Sequence, residues 1–184
     1  MIIRDANNAD LPDVLYIVRE AFKATNSDVL VKEEAYVNAL LVDPTAKPLL
    51  SLLAFVDDKP VGHLLFTKAH LTPNPNNLQI SFLSALAVLT DYQRQRIGTE
   101  LIKKGLQQIS KTGNDLVFVL GHPNYYTKHG FTPAGKQGFQ TPYPLQEKDQ
   151  SAWMVKELQN GKINSNSGKI TFCDELNKPE YWQQ

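Results

Sequence analysis

The hexapeptide Gln93-Arg94-Gln95-Arg96-Ile97-Gly98 carries the densest chemistry in this 184-residue chain. It follows the apolar run Leu86-Ala87-Val88 across a polar turn and leads directly into an amphipathic stretch marked by Ile97, Leu101, Ile102, Leu106 and Ile109. A helix starting there leaves its first backbone N–H groups without intrahelical partners, and its dipole adds partial positive charge at the same end. Arg94 and Arg96 contribute two guanidinium groups, and Gly98 lets the backbone approach a ligand closely. Such a place suits an anion, a pyrophosphate in particular. The competing reading is equally concrete, because many strand-turn-helix units carry Arg and Gly and bind nothing.

The remaining reactive residues narrow the chemistry. His63, His70, His122 and His129 form no pair at metal-ligand helical spacing, so no metal is expected. The single cysteine, Cys173, excludes an intramolecular disulfide framework and a Cys-rich zinc site; it reads as a small buried hydrophobe rather than a nucleophile. Nineteen Lys and Arg against nineteen Asp and Glu give zero formal charge, which argues against a nucleic acid as partner. No leader pattern opens the chain and no apolar run reaches membrane-spanning length, so a cytoplasmic protein without a membrane partner is expected.

The elements that must position these residues follow from periodicity. Ile2-Ile3 reads as a first strand, and Asp10 as the N-cap of a helix carrying Leu11, Val14, Leu15, Val18 and Phe22. A second, shorter helix carries Tyr36, Val37, Leu40 and Leu41 and stops before Pro44. Strands are expected at 49–56 and 61–69 around an Asp57-Asp58-Lys59 turn, then at 80–88 and 116–120 on either side of the Ile97 helix. Residues 122–129 suit a short helix and 132–150 irregular structure, with late strands at 153–158 and 170–172. No repeat or linker divides the chain. The order describes one α/β domain over residues 1–184 with a mixed sheet flanked by helices.

Two segments within this order resemble a known family. Gln93 to Gly98, with Leu86-Ala-Val upstream and Leu101 downstream, is similar to the pyrophosphate loop of the GNAT superfamily of N-acetyltransferases, written Gln/Arg-x-x-Gly-x-Gly/Ala. Tyr126-x-x-x-Gly130-Phe131 resembles the signature near the end of the same fold, and Leu120-Gly121-x-Pro123-x-x-Tyr126 resembles the YhbS-like branch of bacterial acetyltransferases. The late strands at Ala152-Trp153-Met154-Val155 and Gly168-Lys-Ile-Thr-Phe172 are similar to that branch, so the likeness spans nearly the whole chain. Arg96 departs from the pattern by occupying the place of the loop's first glycine. Either its side chain contacts the phosphates, or the loop takes another course and the affinity changes.

The resemblance implies a GNAT-like α/β fold whose mostly antiparallel central sheet splays between its fourth and fifth strands. Acetyl-CoA as cosubstrate, with no metal, would lay its pantetheine arm along the backbones of Leu86, Ala87 and Val88, where the N–H of Leu86 or Ala87 polarises the thioester carbonyl. Gln93, Arg94, Gln95, Arg96, Ile97, Gly98 and Thr99 would cradle the pyrophosphate. Asn124 would bond the pantetheine or cap the short helix. Tyr126 would be the acid that protonates the departing thiolate, with Tyr125 as its rival in register. The acceptor would be a primary amine of a small molecule or a protein, attacking directly, on a monomer or homodimer. A base is not legible: His63, Glu33, Glu34 and a water are the candidates, and His122 reads as a turn residue. The loop at 133–150 is the expected acceptor wall. A second function class is an acyl-CoA-binding sensor or interaction protein without turnover.

Overall fold

A computed structural model describes residues 1–23 and 27–182 of the chain, and the side chains of these residues except 27–31. Strand β1 (Ile2–Asp5) is followed by helices α1 (Leu11–Ala21) and α2 (Ser27–Val42). Then come β2 (Leu50–Val56), β3 (Lys59–Thr72), β4 (Ile80–Val88), helix α3 (Ile97–Lys111), β5 (Leu116–Leu120) and the single-turn α4 (Pro123–Tyr126). The chain closes with β6 (Thr132–Pro133), β7 (Phe139–Gln140), β8 (Trp153–Glu157) and β9 (Gly168–Thr171). The main sheet runs β1-β2-β3-β4-β5-β8-β6; β4 and β5 are parallel, and the other neighbours along this path are antiparallel.

Local chemistry explains the main elements. Asp57 and Asp58 take φ of 48° and 60°, the twist that lets a two-residue turn join β2 to β3. Helix α3 lays Ile97, Leu101, Ile102, Gly105 and Ile109 on one face, and that face covers Gly62, Leu64 and Phe66 of β3. Helix α1 packs on α2 and on β3 and β4, and α2 meets the sheet through Tyr36. One core lies beneath α1 and α3; a second, aromatic core gathers Phe82, Phe118, Phe139, Trp153, Phe172 and Trp182. There Trp153 stacks on Phe118 at 4.9 Å, and Trp182 stacks on Phe172 at the same distance. Trp182 near the C-terminus is therefore part of the core.

Three expectations are corrected. Helix α2 is longer than α1, at 16 residues against 11, since it begins well ahead of the Tyr36 to Leu41 repeat. Asp10 stands at the N-cap of α1 but makes no side-chain cap bond there. Its carboxylate accepts two 2.7 Å bonds from Arg4 and one from the Asn7 N–H, and the Arg4 bonds pull its pKa down to about 2. Strand β3 continues past Ala69 to Thr72, because its last three residues pair with β9, which also pairs with β7 inside the stretch expected to be irregular. Among the described residues, no helix is long and apolar enough to cross a membrane, and no group of three or more His, Cys, Asp or Glu could hold a metal ion.

Candidate active site

The site begins where β4 and β5 part. Ile80 to Leu83 pair with Leu116 to Val119, and beyond Leu83 β4 has no partner on that side among the described residues. Strand β5 keeps β8 on its other side along its whole length, from Leu116 opposite Glu157 to Leu120 opposite Trp153. Leu89 donates its N–H to the Val61 carbonyl at 2.9 Å, and strand backbone groups alternate sides. Ala87 therefore faces β3, whereas Leu86 presents N–H and C=O to the gap and Val88 presents its N–H there, its carbonyl accepting the Gln93 side-chain amide. Of the two backbone donors left open by the sequence, the geometry offers Leu86. An unpaired strand edge of this kind is a template for another extended, amide-bearing chain.

At the end of this edge lies the start of α3. The first intrahelical bond runs from the Glu100 N–H to the Arg96 carbonyl, leaving the N–H groups of Ile97, Gly98 and Thr99 without such partners. Arg96, at the N-cap, makes no side-chain cap bond. Its φ of 68° and ψ of 5° are left-handed, and Arg94 has φ of 60°. The loop thus keeps a left-handed turn although an arginine stands in the glycine's place. A left-handed residue next to a right-handed one aims successive N–H groups into one concavity, which favours an anion. Both arginine side chains are exposed and form no ion pair among the described residues. Gln93 and Gln95 hold the turn itself: their side-chain amides donate to the Val88 and Asp91 carbonyls at 3.1 and 3.0 Å.

One phenol stands beside this helix start and a second packs against the first. A Cβ added to Gly98 would lie 2.6 Å from the Tyr125 hydroxyl. The Tyr126 ring lies against Gly121, perpendicular to Tyr125 at 5.2 Å and to Phe131 at 5.6 Å. Tyr126 is only 8% exposed, and burial pushes its phenol well above the ordinary value; it stays protonated throughout the neutral range. Asn124 is exposed on α4, and His122 is exposed at that helix's N-cap, where its carbonyl accepts the N–H groups of Tyr125 and Tyr126.

The base candidates fall into different environments. His63 pairs in register with Ala87 but is fully buried, with Nε2 2.9 Å from Ser51 Oγ. Burial pushes its pKa down to about 3, so it is a neutral core imidazole and a poor proton acceptor. Glu34 lies 3.6 Å from Arg19. Glu33 is half-buried, which raises its carboxyl. Cys173 is buried and its thiol is pushed up to about 11, the state of an inert thiol. The loop at 133–150 packs through Phe139 and Tyr143 against the aromatic core. Two residues that sequence reasoning passed over belong to the site's frame. Ser84 sits where β4 leaves β5, and Tyr36 donates its hydroxyl to the Ser84 carbonyl at 3.1 Å. No spacing pattern marks Ser84, and Tyr36 reads as one more apolar position of a helix.

Comparison with known proteins adds an independent line. The family model described as an acetyltransferase (GNAT) domain matches residues 2–134. An uncharacterized N-acetyltransferase of Escherichia coli K12, YjhQ, is 38% identical over 153 residues, which is 83% of this chain and 81% of YjhQ. YhbS of the same organism, likewise an uncharacterized N-acetyltransferase, is 24% identical over 182 residues, covering 97% of this chain and 99% of its own. A crystal structure of E. coli YhbS in complex with CoA superposes with a TM-score of 0.82 at 25% identity, covering 96% and 92% of the two chains. A Brucella melitensis GNAT acetyltransferase in complex with acetyl-CoA superposes at 0.73 with 21% identity, over 95% and 96%. On the family match over most of its length, and on a fold that agrees with it, the chain belongs to the GNAT family of acetyltransferases.

Proposed function

We propose that this protein transfers an acetyl group from acetyl-CoA to a primary amine of a small molecule or a protein. One observation carries the reading: the open strand edge at Leu86, a helix start without a side-chain cap and the Tyr125 phenol meet around Gly98, and the Tyr126 ring packs against Tyr125. The residues fit the cosubstrate chemically. The Leu86 and Val88 backbones would bind an amide-bearing arm as an added strand does. Arg94, Arg96 and the N–H groups of Ile97, Gly98 and Thr99 would take the pyrophosphate, on a turn held by Gln93 and Gln95, with Asn124 and Ala87 at the flanks. YhbS and the Brucella protein, which share this fold, are described with CoA and acetyl-CoA bound.

When bound, acetyl-CoA supplies the activated thioester. The Leu86 N–H is assigned to its carbonyl oxygen, where a fixed donor stabilises the charge that develops during attack. Tyr126 is assigned as the acid, holding its proton at the phenol oxygen until the leaving sulfur needs it. With His63 sealed in the core and Glu34 beside Arg19, the ammonium proton of the acceptor passes to Glu33 or to water. Steady-state turnover with a panel of amines, in wild type and Tyr126→Phe, tests the assignment. Loss of turnover with retained CoA binding supports it. A protein that binds CoA and acetylates none of the amines would instead be a sensor.

A further inference from the structure

Strand β4 carries one residue more than β3 opposite it. Leu65 pairs with Ala85 and Phe66 with Leu83, so Ser84 is the extra residue of a bulge. A bulge leaves its extra residue out of the ladder and turns the strand. Here side chains take over from the ladder on both sides. Ser84 Oγ donates to the Phe82 carbonyl at 3.2 Å, so the Thr67 hydroxyl, buried 2.7 Å away, donates to Ser84 Oγ. From α2, the Tyr36 hydroxyl donates to the Ser84 carbonyl. The open residue Leu86 lies two positions further on.

Tyr36 is itself seated by the C-terminal segment. Its ring lies 5.1 Å from that of Tyr181, whose hydroxyl donates to Glu175 Oε1 at 2.6 Å. That segment is clamped to the end of α2: Asp43 accepts the Glu175 N–H at 3.0 Å and Thr45 Oγ1 accepts the Asp174 N–H at 2.8 Å. Burial raises the Tyr36 phenol far above its ordinary range, so it remains a donor at any working pH.

We propose that Tyr36 is a positioning residue of the cofactor edge: by holding the Ser84 carbonyl it fixes the turn of the bulge, and so the direction in which Leu86 and Val88 present their backbone groups. The proposal rests on the reading that this edge receives the pantetheine arm of acetyl-CoA.

Calorimetric titration with CoA of the wild type, Tyr36→Phe and Tyr143→Phe tests it, with thermal unfolding of each protein alongside. Tyr143 is the matched control, because its hydroxyl also donates to a backbone carbonyl, that of Asn177 at 2.9 Å, away from β4. Tyr36→Phe is expected to bind CoA roughly fivefold or more weakly, the worth of one misplaced hydrogen bond. Tyr143→Phe should bind as the wild type does while losing comparable thermal stability. A folded Tyr36→Phe that binds CoA within about twofold of wild type overturns the proposal, twofold being well inside one hydrogen bond's effect. Should Tyr36→Phe fail to fold, Tyr181→Ala removes the ring that seats Tyr36; weaker binding supports the proposal and wild-type affinity overturns it. A wild type that does not bind CoA refutes the cofactor reading and this proposal together, whereas equal binding by wild type and variant refutes this proposal alone.

Discussion

Arg96 is the sharpest place to perturb the loop, because its side chain and its backbone make separable demands. It sits at φ of 68° and ψ of 5° immediately before α3, in the place of the family's glycine. An L-residue pays roughly 1–2 kcal/mol there from its Cβ, and glycine gives back part of that gain through the freedom it loses on folding, about 0.4–1 kcal/mol. Arg96→Gly and Arg96→Ala remove the same guanidinium and differ only in the Cβ. The glycine variant should therefore be more stable by about 1 kcal/mol, or about 2–4 °C in Tm for a domain of this size. At Gln95, which is not left-handed, the order should reverse, with alanine above glycine. Both Arg96 variants should bind CoA more weakly and with a shallower salt dependence, since one cation is gone. Differential scanning calorimetry of the four variants decides the matter. An Arg96→Ala protein as stable as Arg96→Gly would refute a left-handed residue at this position.

Other consequences can be measured on the same material. Tyr126→Phe should lower kcat by about 100-fold or more while leaving CoA affinity within about threefold, and the wild type should show no alkaline loss of rate in the ordinary tyrosine range. Retained turnover in Tyr126→Phe, with loss in Tyr125→Phe, would move the acid by one residue. Gly121→Ala would drive its Cβ into the Tyr126 ring, which Phe131 and Tyr125 hold in place, and should cost about 1–3 kcal/mol in denaturant unfolding. His63 has a folded pKa depressed to about 3, so its contribution is complete above the unfolded value near 6.5 and is lost as pH falls. Between pH 6.5 and 5 the wild type should lose up to about 1.4 kcal/mol per pH unit, and His63→Leu should flatten that slope. An unchanged slope in the variant would place the titration elsewhere.

What the sequence made legible follows from how local each signal is. Residues 80–88 and 116–120 are apolar runs bounded by polar turns, and the structure has strands over those spans. The Ile97 repeat reads as a helix because its apolar face has one period, and its partner face on β3 is equally regular. The two motifs led to the family that the comparisons bear out, and with it to the parting of β4 from β5. Tertiary demands were not legible. Asp10 is a good N-cap by type, yet Arg4, six residues upstream, outbids the helix for its carboxylate. Phe139 and Gln140 have no strand pattern, but β9 gives them a partner. Ser84 looks like any strand residue until Thr67, Tyr36 and the register shift are seen together. His63 looks like a base by type; its complete burial makes it part of the core.

The central claim is that the edge of β4 and the start of α3 form one CoA site. Calorimetric titration of the purified protein with CoA and acetyl-CoA tests it directly, with Arg94→Ala and Gly98→Glu as companions. Arg94→Ala removes a loop cation, and Gly98→Glu puts a side chain into the Tyr125 hydroxyl and a carboxylate at the anion site. Micromolar-range binding, weakened at least about tenfold by each substitution, is the predicted result. A folded wild-type protein that binds neither CoA nor acetyl-CoA would contradict it.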